Sequence, residues 1–282
     1  MTLARLLVLC KRATLSVLTP PRGRPGAHVG TYPYMGFNIP IDLMWQTGLG
    51  PDTFAAISAA HHAQLQKWTP IKPDHSVLEI GCGIGRDAIP LTKLLQTGRY
   101  LGTDVLKASI EWCSTAITPK CPNFSFLHMD VRSSLYNSEG TIEPTEVRIP
   151  LGDRSVDRIF LFSVFTHMLR PEIEHYLTEF KRLLKLDGLV YATTFIYDDE
   201  ILASARRNVA STPWSLTFGH EHEPGCRLND PSVPLHAVAF TREAWQEMIS
   251  RSDLTLLKFL PGAWSGYYLQ HEEGQDTVLL TT

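Results

Sequence analysis

This sequence of 282 residues has no run of about 18 apolar residues, so it contains no segment expected to cross a bilayer as a helix. Cysteine is scarce: five scattered residues, an odd number, fit a reducing compartment better than a disulfide framework. Neither sign of charge is in large excess, and the net charge of −3 argues against nucleic acid as the main partner. With 44% hydrophobic residues, the chain can bury the core of one α/β domain with additions. We therefore expect a cytoplasmic globular protein.

Acidic residues are missing from the start of the chain. Asp42 is the first acid, and five cations precede it: Arg5, Lys11, Arg12, Arg22 and Arg24. Apolar residues at helical spacing between Leu3 and Val17 predict a basic amphipathic arm, and residues 20–26 are a linker rich in proline and glycine. We favour a helix that packs on its own domain or on a partner subunit. The alternatives are peripheral contact of residues 1–24 with an anionic membrane and a mitochondrial transit segment, which this start resembles.

The most informative stretch runs from Val77 to Arg86. A short apolar run with strand character is followed by Gly81, Gly83 and Gly85, and then by a stretch compatible with a helix. Alternating glycines let the backbone turn sharply and approach a ligand without an intervening Cβ. The following helix directs its unpaired N–H groups into the same crevice. The pattern predicts a nucleotide-like cofactor at the carboxyl edge of a parallel sheet.

Charged residues at defined positions narrow the choice of cofactor. Glu79 lies within the first strand, and Arg86 stands where a dinucleotide fingerprint has its third glycine. Asp104 ends the second strand about 20 residues further on, which suits a bidentate hold on ribose hydroxyls. Asp130 ends the third strand, where an acid can accept a hydrogen bond from the adenine amine. These positions favour an adenosyl ligand other than NAD.

This series resembles the class I S-adenosylmethionine-dependent methyltransferases. Their first motif, E-x-G-x-G-x-G, is matched by Glu79, Gly81, Gly83 and Gly85, and the resemblance covers residues 70–200 most strongly. It implies S-adenosyl-L-methionine as the cofactor. Carried over residue by residue, it implies cofactor contacts at Glu79, Gly81, Cys82, Gly83, Gly85, Asp104, Val105, Asp130, Val131 and Ser163. An NAD-dependent oxidoreductase and a non-catalytic scaffold that binds S-adenosylmethionine are the alternatives.

In that set, each contact has an implied part of the cofactor. Residues 81–83 run under the methionine portion, Asp104 binds the ribose diol, and Val105 packs on the adenine. Asp130 accepts from the adenine amine, and Ser163 lies beside the sulfonium. The resemblance thus implies that the cofactor binds along the ends of three successive strands.

Predicted strands and helices alternate after residue 73, which indicates an α/β, Rossmann-like fold. We expect seven mostly parallel strands with helices on both faces. The predicted strands are 77–80, 99–103, 124–129, 159–163, 189–196, 254–260 and 277–281, and the helices are 86–96, 107–117, 171–186 and 241–250. The chain is therefore divided into the arm and linker 1–26, an N-terminal helical lid or extra core layer 27–73, and a methyltransferase domain 74–282. Residues 198–240 form a long, non-periodic insertion before the C-terminal β-hairpin, which is typical of substrate recognition.

Methyl transfer from a sulfonium is an in-line displacement, so the protein must align the reactants and exclude water. A hydroxyl acceptor also needs a base, and histidine suits that role near neutral pH. The candidates are His167, after the fourth strand, and His220, in the insertion. Asp198, which ends the fifth strand, is expected to bind a polar acceptor or to orient a histidine. The structural alternatives are a cofactor contact or hydrogen bond for His167, a solvated loop for His220 and a helix cap for Asp198.

No metal is predicted. His220, His222, Cys226 and His236 have a spacing that matches no common structural zinc pattern. Four aromatic residues offer flat faces for stacking unless they serve the core: Trp214, Trp264, Tyr267 and Tyr268. The sequence thus predicts a methyltransferase that acts on a small-molecule or glycan acceptor, most simply at an oxygen.

Overall fold

The computed structural model describes residues 29–46, 50–209 and 215–282. Trp214 and the basic arm, including the predicted membrane contact of residues 1–24, lie outside these ranges. Within them, no helix combines the length and the apolar character that a membrane crossing needs. The chain separates into two compact units, one ending at Asp130 and the other running from Val131 to Thr282. The division at residue 73 that we expect from sequence stays a prediction.

The described part of the first unit begins with a β-hairpin, which the sequence pattern does not reveal. Strand β1 (Thr31–Tyr34) pairs antiparallel with β2 (Phe37–Pro40). The two turn residues, Met35 and Gly36, have φ angles of 47° and 88°. A two-residue turn with both φ values positive matches the twist of a hairpin. Its only sequence signal is the glycine between two aromatic runs.

Two helices follow the hairpin. Helix α1 covers Ile41–Gln46, and helix α2 covers Pro51–Trp68 with proline in its first turn, where the missing N–H costs nothing. Phe54 of α2 is buried, and its ring contacts those of Tyr32 and Tyr34 at centroid distances of 6.1 and 5.3 Å. Tyr32 and Tyr34 of the hairpin therefore pack against α2.

Three parallel strands and two helices complete the first unit. They are β3 (Ser76–Ile80), α3 (Ala88–Leu94), β4 (Arg99–Asp104), α4 (Lys107–Ala116) and β5 (Phe124–His128). Strand β4 pairs in parallel with both β3 and β5. Val77 and Leu78 are fully buried, as expected for a strand covered on both faces. Because parallel strands share one carboxyl edge, the residues after β3, β4 and β5 meet there.

The second unit supplies the remaining strands of the large sheet. Its elements are β6 (Val156–Leu161), α5 (Arg170–Leu183), β7 (Leu184–Thr194), α7 (Arg242–Arg251), β12 (Thr255–Leu260) and β13 (Asp276–Thr281). Strand β7 is parallel to β6, and β13 is antiparallel to both β7 and β12. The strand order is β12-β13-β7-β6-β3-β4-β5. The predicted α/β, Rossmann-like sheet of seven mostly parallel strands is confirmed.

Two predicted boundaries in the second unit are wrong. The helix predicted to continue to residue 186 ends at Leu183, and β7 starts immediately at Leu184. The alternation Leu184-Lys-Leu186 suits a strand as well as a helix, and Leu186 is 85% exposed. The fourth strand, predicted over 159–163, is β6 and ends at Leu161. Local periodicity does not fix either end.

A second, smaller sheet begins just before the predicted insertion 198–240 and lies mostly within it. The elements of this region are β8 (Ile196–Tyr197), α6 (Asp199–Asn208), β9 (His220–Glu223), β10 (Cys226–Leu228) and β11 (Val238–Thr241). The strand order is β8-β11-β10-β9, with β8 parallel to β11 and the other neighbours antiparallel. These strands have two to four residues each, too few to show a clear alternation. A segment that looks like a loop in the sequence is therefore largely ordered.

A buried carboxylate ties this insertion to the C-terminal strand. Asp276 accepts hydrogen bonds from the backbone N–H of Ile196 at 2.7 Å, from the N–H of Gly262 at 2.7 Å and from the Trp264 indole at 2.6 Å. Trp264 is fully buried, and its ring contacts Phe195 and Phe218. Trp264 is thus a core residue rather than a stacking surface.

Candidate functional site

The loop between β3 and α3 is a tight turn built on left-handed glycines. Gly81, Gly83 and Gly85 have φ angles of 74°, 50° and 74°, a region that other residues adopt only with strain. A Cβ at Gly85 would lie 3.0 Å from Ile117 Cδ1. The backbone N–H groups of Gly81 and Cys82 both donate to the carbonyl of Thr103, at 2.8 and 3.0 Å. The turn is therefore held against the end of β4.

Asp104 ends β4 beside this turn, as the sequence predicts. Its Oδ2 accepts from the Gly83 N–H at 2.6 Å, and its Oδ1 accepts from the Leu106 N–H at 2.8 Å. Burial raises the pKa of Asp104, whereas these N–H donors favour its ionised form. A carboxylate has about four acceptor sites, so two remain for a pair of ribose hydroxyls.

The Glu79 carboxyl group has a hydrogen-bond partner within the protein core. Its side chain is buried, at 3% exposure, and it accepts a hydrogen bond from the Tyr100 hydroxyl. Burial raises the pKa of Glu79 well above its usual range, and the negative charge of Asp87 adds to this effect. The structure therefore places Glu79 under the turn with its carboxyl group bonded to Tyr100, and a direct cofactor contact stays a prediction.

The floor of the turn is sterically tight. A Cβ at Gly102 would lie 2.8 Å from both Cys82 Sγ and the Tyr100 hydroxyl oxygen. Cys82 itself is 4% exposed and faces this position. Real Cβ atoms essentially never come so close, so Gly102 is required while Cys82 and Tyr100 keep their places. Cys82 is explained by packing beneath the turn.

The remaining cofactor candidates follow the other strand ends. Val105 is half-buried, and its carbonyl accepts from His128 Nε2 at 3.2 Å. Asp130 is half-buried just after β5. Val131 is buried and forms a bridge with Ile142 in the second unit. The first unit thus contains the turn, Asp104, Val105 and Asp130 at three neighbouring strand ends, and their contacts with an adenosyl group stay predictions.

These residues fit the cofactor implied by the sequence. The glycine turn leaves backbone without Cβ atoms, Asp104 retains acceptor capacity for two hydroxyls, and Asp130 offers an acceptor at the next strand end. Arg86, which stands where a dinucleotide turn has its third glycine, lies with its Nε 3.6 Å from the carboxylate of Asp87. The chemistry of this donor set matches an adenosyl ribose.

Ser163 follows β6 in the second unit with a strained backbone. Its φ is 58°, its N–H donates to Thr193 Oγ1 at 2.7 Å, and its hydroxyl donates to Gln275 Oε1 at 3.0 Å. A non-glycine residue in the left-handed region persists only when its surroundings hold it. Thr193 and Gln275 provide that hold, and the Ser163 side chain is exposed. Its contact with the sulfonium stays a prediction.

His167 lies in a short 3₁₀ turn, Phe165–His167. Its Nδ1 is 2.9 Å from the carbonyl oxygen of Leu235, and its ring lies edge to face with Tyr136 at a centroid distance of 5.9 Å. Because a carbonyl only accepts, Nδ1 carries the proton and the lone pair is on Nε2. Burial lowers the pKa of His167, partly offset by the Leu235 carbonyl. His167 is therefore a neutral imidazole of fixed tautomer.

The other two catalytic candidates have different surroundings. His220 is exposed on β9, the edge strand of the small sheet. Asp198 is exposed and caps helix α6, since its Oδ1 accepts from the Ile201 N–H at 2.7 Å. This geometry is the helix cap that the sequence offers as an alternative. The described residues contain no group of three or more side chains placed to hold a metal ion.

Comparison with known proteins now adds an independent observation. Residues 77–188 match the family model of a methyltransferase domain, and this segment begins at the glycine turn. Residues 77–188 are thus similar to a methyltransferase domain, in agreement with the resemblance of the glycine turn to the class I S-adenosylmethionine-dependent methyltransferases. The NAD-dependent alternative is thereby set aside, and S-adenosyl-L-methionine is the cofactor of the family.

Named relatives of this chain are distant. It is 26% identical over 199 residues to the phthiotriol/phenolphthiotriol dimycocerosates methyltransferase of Mycobacterium tuberculosis, over 68% of this chain. The match spans 66% of the length of that relative. A solved phosphoethanolamine N-methyltransferase 1 of Haemonchus contortus is similar over 53% of this chain and 28% of its own, with 20% identity and a TM-score of 0.41. The 1,6-didemethyltoxoflavin-N1-methyltransferase of Burkholderia thailandensis is similar over 82% and 78%, with 17% identity and a TM-score of 0.48.

Several residues that contact the candidate site residues can be identified only in the structure. Tyr136, Leu235 and Gln275 contact His167 or Ser163, although Leu235 is 68 positions from His167 and Gln275 is 112 positions from Ser163. No local pattern could have found these contacts. The doublet His61-His62 before the glycine turn is a visible signal that sequence reasoning did not use.

Proposed function

We propose that this methyltransferase transfers the methyl group of S-adenosyl-L-methionine to an oxygen atom of a small-molecule or glycan acceptor, with His167 as the general base. The observation that carries the proposal is the hydrogen bond from His167 Nδ1 to the Leu235 carbonyl. It fixes the tautomer with an unprotonated Nε2, and burial lowers the pKa so that the ring is neutral at physiological pH. Such a ring can accept a proton from a hydroxyl group.

Binding and chemistry divide between different residues in this proposal. S-adenosyl-L-methionine supplies an electrophilic methyl group on a positively charged sulfur. Asp104 accepts from the ribose hydroxyls, Asp130 accepts from the adenine amine, and the glycine turn admits the methionine portion. His167 takes the proton of the acceptor hydroxyl as the oxygen attacks. Ser163, held by Thr193 and Gln275, lines the sulfonium side.

An oxygen acceptor is favoured by the nature of the base and by the curated relative. A hydroxyl loses its proton only with difficulty near neutral pH, so a positioned imidazole accelerates its transfer. The Mycobacterium tuberculosis relative is named for phthiotriol and phenolphthiotriol dimycocerosates, names that denote triols. We assign no catalytic role to Asp198, whose carboxylate caps α6, or to His220 on the exposed edge strand.

The test is a turnover assay with full-length protein and a panel of nucleotide sugars, lipid-linked glycans and phenols. We expect S-adenosylhomocysteine to form with one acceptor class, and mass spectrometry to find one added methyl group on oxygen. Methylation on nitrogen or carbon would contradict the oxygen assignment. Cofactor binding without turnover on any panel member would favour the non-catalytic scaffold.

Two variants of His167 test the base. The amide of His167→Asn can still donate to the Leu235 carbonyl but has no basic nitrogen, whereas His167→Ala loses both. We expect turnover by His167→Asn to fall by about 10²- to 10⁴-fold, the usual contribution of a general base. Its affinity for S-adenosyl-L-methionine, measured by calorimetry, should equal that of the wild type. Unchanged turnover in His167→Asn would remove the base assignment.

A further inference from the structure

We propose that helix α2 positions the cofactor turn, through Ser58, His61 and His62, and that these three side chains set the affinity for S-adenosyl-L-methionine. The inference rests on the proposed cofactor site and is independent of the acceptor and its base. Helix α2 spans Pro51–Trp68 and lies outside the segment 77–188 that matches the family model. The residues that do the positioning therefore come from the N-terminal extension.

The contacts come from one face of α2. Ser58 Oγ donates to the Arg86 carbonyl at 2.9 Å, and His62 Nε2 donates to the Asp87 carbonyl at 2.8 Å. His61 Nδ1 donates to Asp87 Oδ2 at 2.8 Å. Positions i, i+3 and i+4 are neighbours on a helix surface, so the three side chains act on the same two residues.

Those two residues connect the glycine turn to α3. Arg86 directly follows Gly85, and Asp87 occupies the N-cap position of α3 without capping it through its own side chain. The Asp87 carboxylate instead bonds to α2, and both Ser58 and Asp87 are buried, at 0% and 2% exposure. Removing a donor from α2 takes one hydrogen bond away from a buried acceptor, which favours a different path for the backbone after the turn.

The neighbours of Asp87 favour its negative charge. Burial alone would raise the pKa of Asp87, but His61 and Arg86 outweigh it and lower the pKa to about 2. Burial lowers the pKa of His62, so its ring is neutral and donates from Nε2. Glu79 and Asp104 are the other carboxyl groups around the turn, and burial raises the pKa of each. Of these three carboxyl groups, Asp87 is the one whose pKa is lowered, and α2 supplies its nearest donor.

The opposite side of the turn is held from the sheet. Thr103 accepts from the N–H groups of Gly81 and Cys82, and Asp104 accepts from that of Gly83. Glycine adopts left-handed backbone without strain but also adopts many other conformations, so contacts on both sides are needed to hold the turn in one path. Helix α2 provides the contacts on the other side, at Arg86 and Asp87. The cofactor turn is thus clamped between β4 and α2.

The experiment compares leucine and amide variants of the two histidines in full-length protein. The amide of His61→Asn can replace the Nδ1 donor, and that of His62→Gln can replace the Nε2 donor, whereas leucine replaces neither. We expect His61→Leu and His62→Leu each to weaken S-adenosyl-L-methionine binding about tenfold in calorimetry, equivalent to about 1.4 kcal/mol. The amide variants should stay within about twofold of the wild type. Ala63→Leu, on the exposed face of α2, is the matched control and should bind normally.

A readout without cofactor separates positioning from general stability. In hydrogen exchange, the leucine variants should lose protection at residues 81–85 while β5 stays protected, since Phe54 and Leu65 still anchor α2 in the core. Leucine variants that are folded and bind as tightly as the wild type would overturn the α2 inference alone. Absence of binding by the wild type itself would instead overturn the proposed cofactor site.

Discussion

The two units hold their functional groups in opposite ways. In the first unit, side chains fix the backbone: Asp104 holds the Gly83 N–H, and His62 holds the Asp87 carbonyl. In the second unit, the backbone fixes a side chain, because the Leu235 carbonyl holds the His167 ring. The first arrangement fixes the path of the backbone around the glycine turn. The second fixes which nitrogen of the His167 ring carries the proton. Binding should therefore depend on steric fit around the turn, whereas turnover should depend on pH.

Buried carboxylates show the same contrast. Asp87 lies next to His61 and Arg86, which overcome the effect of burial and lower its pKa to about 2. Asp276 is surrounded by the N–H groups of Ile196, Gly262 and Trp264, and burial raises its pKa to about 6. The Arg86 guanidinium and the hydrogen bond from His61 stabilise the first charge, whereas the N–H donors only partly stabilise the second. The second unit thus contains a carboxylate that titrates in a range where Asp87 does not.

The largest expected effect is on the shape of the first unit. Asp104→Ala removes the acceptor for the Gly83 N–H and for the ribose hydroxyls. Two hydrogen bonds to a charged group are worth about 4 kcal/mol in total, so the affinity for S-adenosyl-L-methionine should fall on the order of 10³-fold. Calorimetry measures this, and circular dichroism checks that the variant is folded. An affinity like that of the wild type would mean that Asp104 does not contact the cofactor.

The next effect concerns stability and Asp276. The pKa of Asp276 is about 6 in the folded protein, whereas the ordinary value of 3.8 applies to the unfolded chain. The folded state therefore binds this proton more tightly. The resulting stabilisation is complete below about pH 4 and is lost as pH rises through about 6, a change of about 3 kcal/mol. Relative to Asp276→Asn, the wild type should lose this much unfolding free energy between those values. Urea unfolding of both proteins at several pH values measures it, and a constant difference would contradict the assignment.

A smaller effect, about tenfold per pH unit, is expected on turnover. A protonated His167 cannot act as a base, and its pKa lies below the usual 6.5 because the ring is buried. The acceptor kcat/KM should therefore rise about tenfold per unit up to that pKa and stay level above it. Initial rates of S-adenosylhomocysteine formation test this directly. If His167→Asn kept the same acidic limb, another group would be responsible.

The smallest effect is expected at Tyr136, whose ring contacts His167 edge to face. Such ring pairs contribute about 0.5–1.5 kcal/mol, and Tyr136 is 42% exposed, which favours the lower end. Tyr136→Leu should therefore lower turnover about threefold without changing cofactor affinity. Tyr136→Phe keeps the ring and should match the wild type. Equal losses in both variants would point to the hydroxyl instead.

Local sequence patterns were sufficient for the cofactor turn. The strand at Val77, the three glycines and the acid at Asp104 are close in sequence, and each has one plausible conformation there. The antiparallel C-terminal strand was also expected and is present as β13. The helix predicted through residue 186 failed because Leu184 and Leu186 suit either period, and only pairing with β6 selects the strand.

Contacts between distant positions explain the rest. The small sheet pairs Ile196 with Phe240 and Cys226 with Phe240. None of its strands is long enough to be recognised from an alternating sequence pattern. The tautomer of His167 depends on Leu235, and the strained backbone of Ser163 depends on Gln275. Sequence could nominate His167 and Ser163, but the groups that hold them become visible only when the chain is folded.

The crowding beneath the glycine turn has an evolutionary consequence. Gly102 faces the sulfur of Cys82 and the hydroxyl of Tyr100, each 2.8 Å from where a Cβ would stand. Substitutions at these three positions are therefore expected to be inherited as a set rather than singly. Among descendants of this protein, alanine at position 102 should appear only in lineages that already carry a smaller residue in place of Cys82 and a residue without the phenol in place of Tyr100.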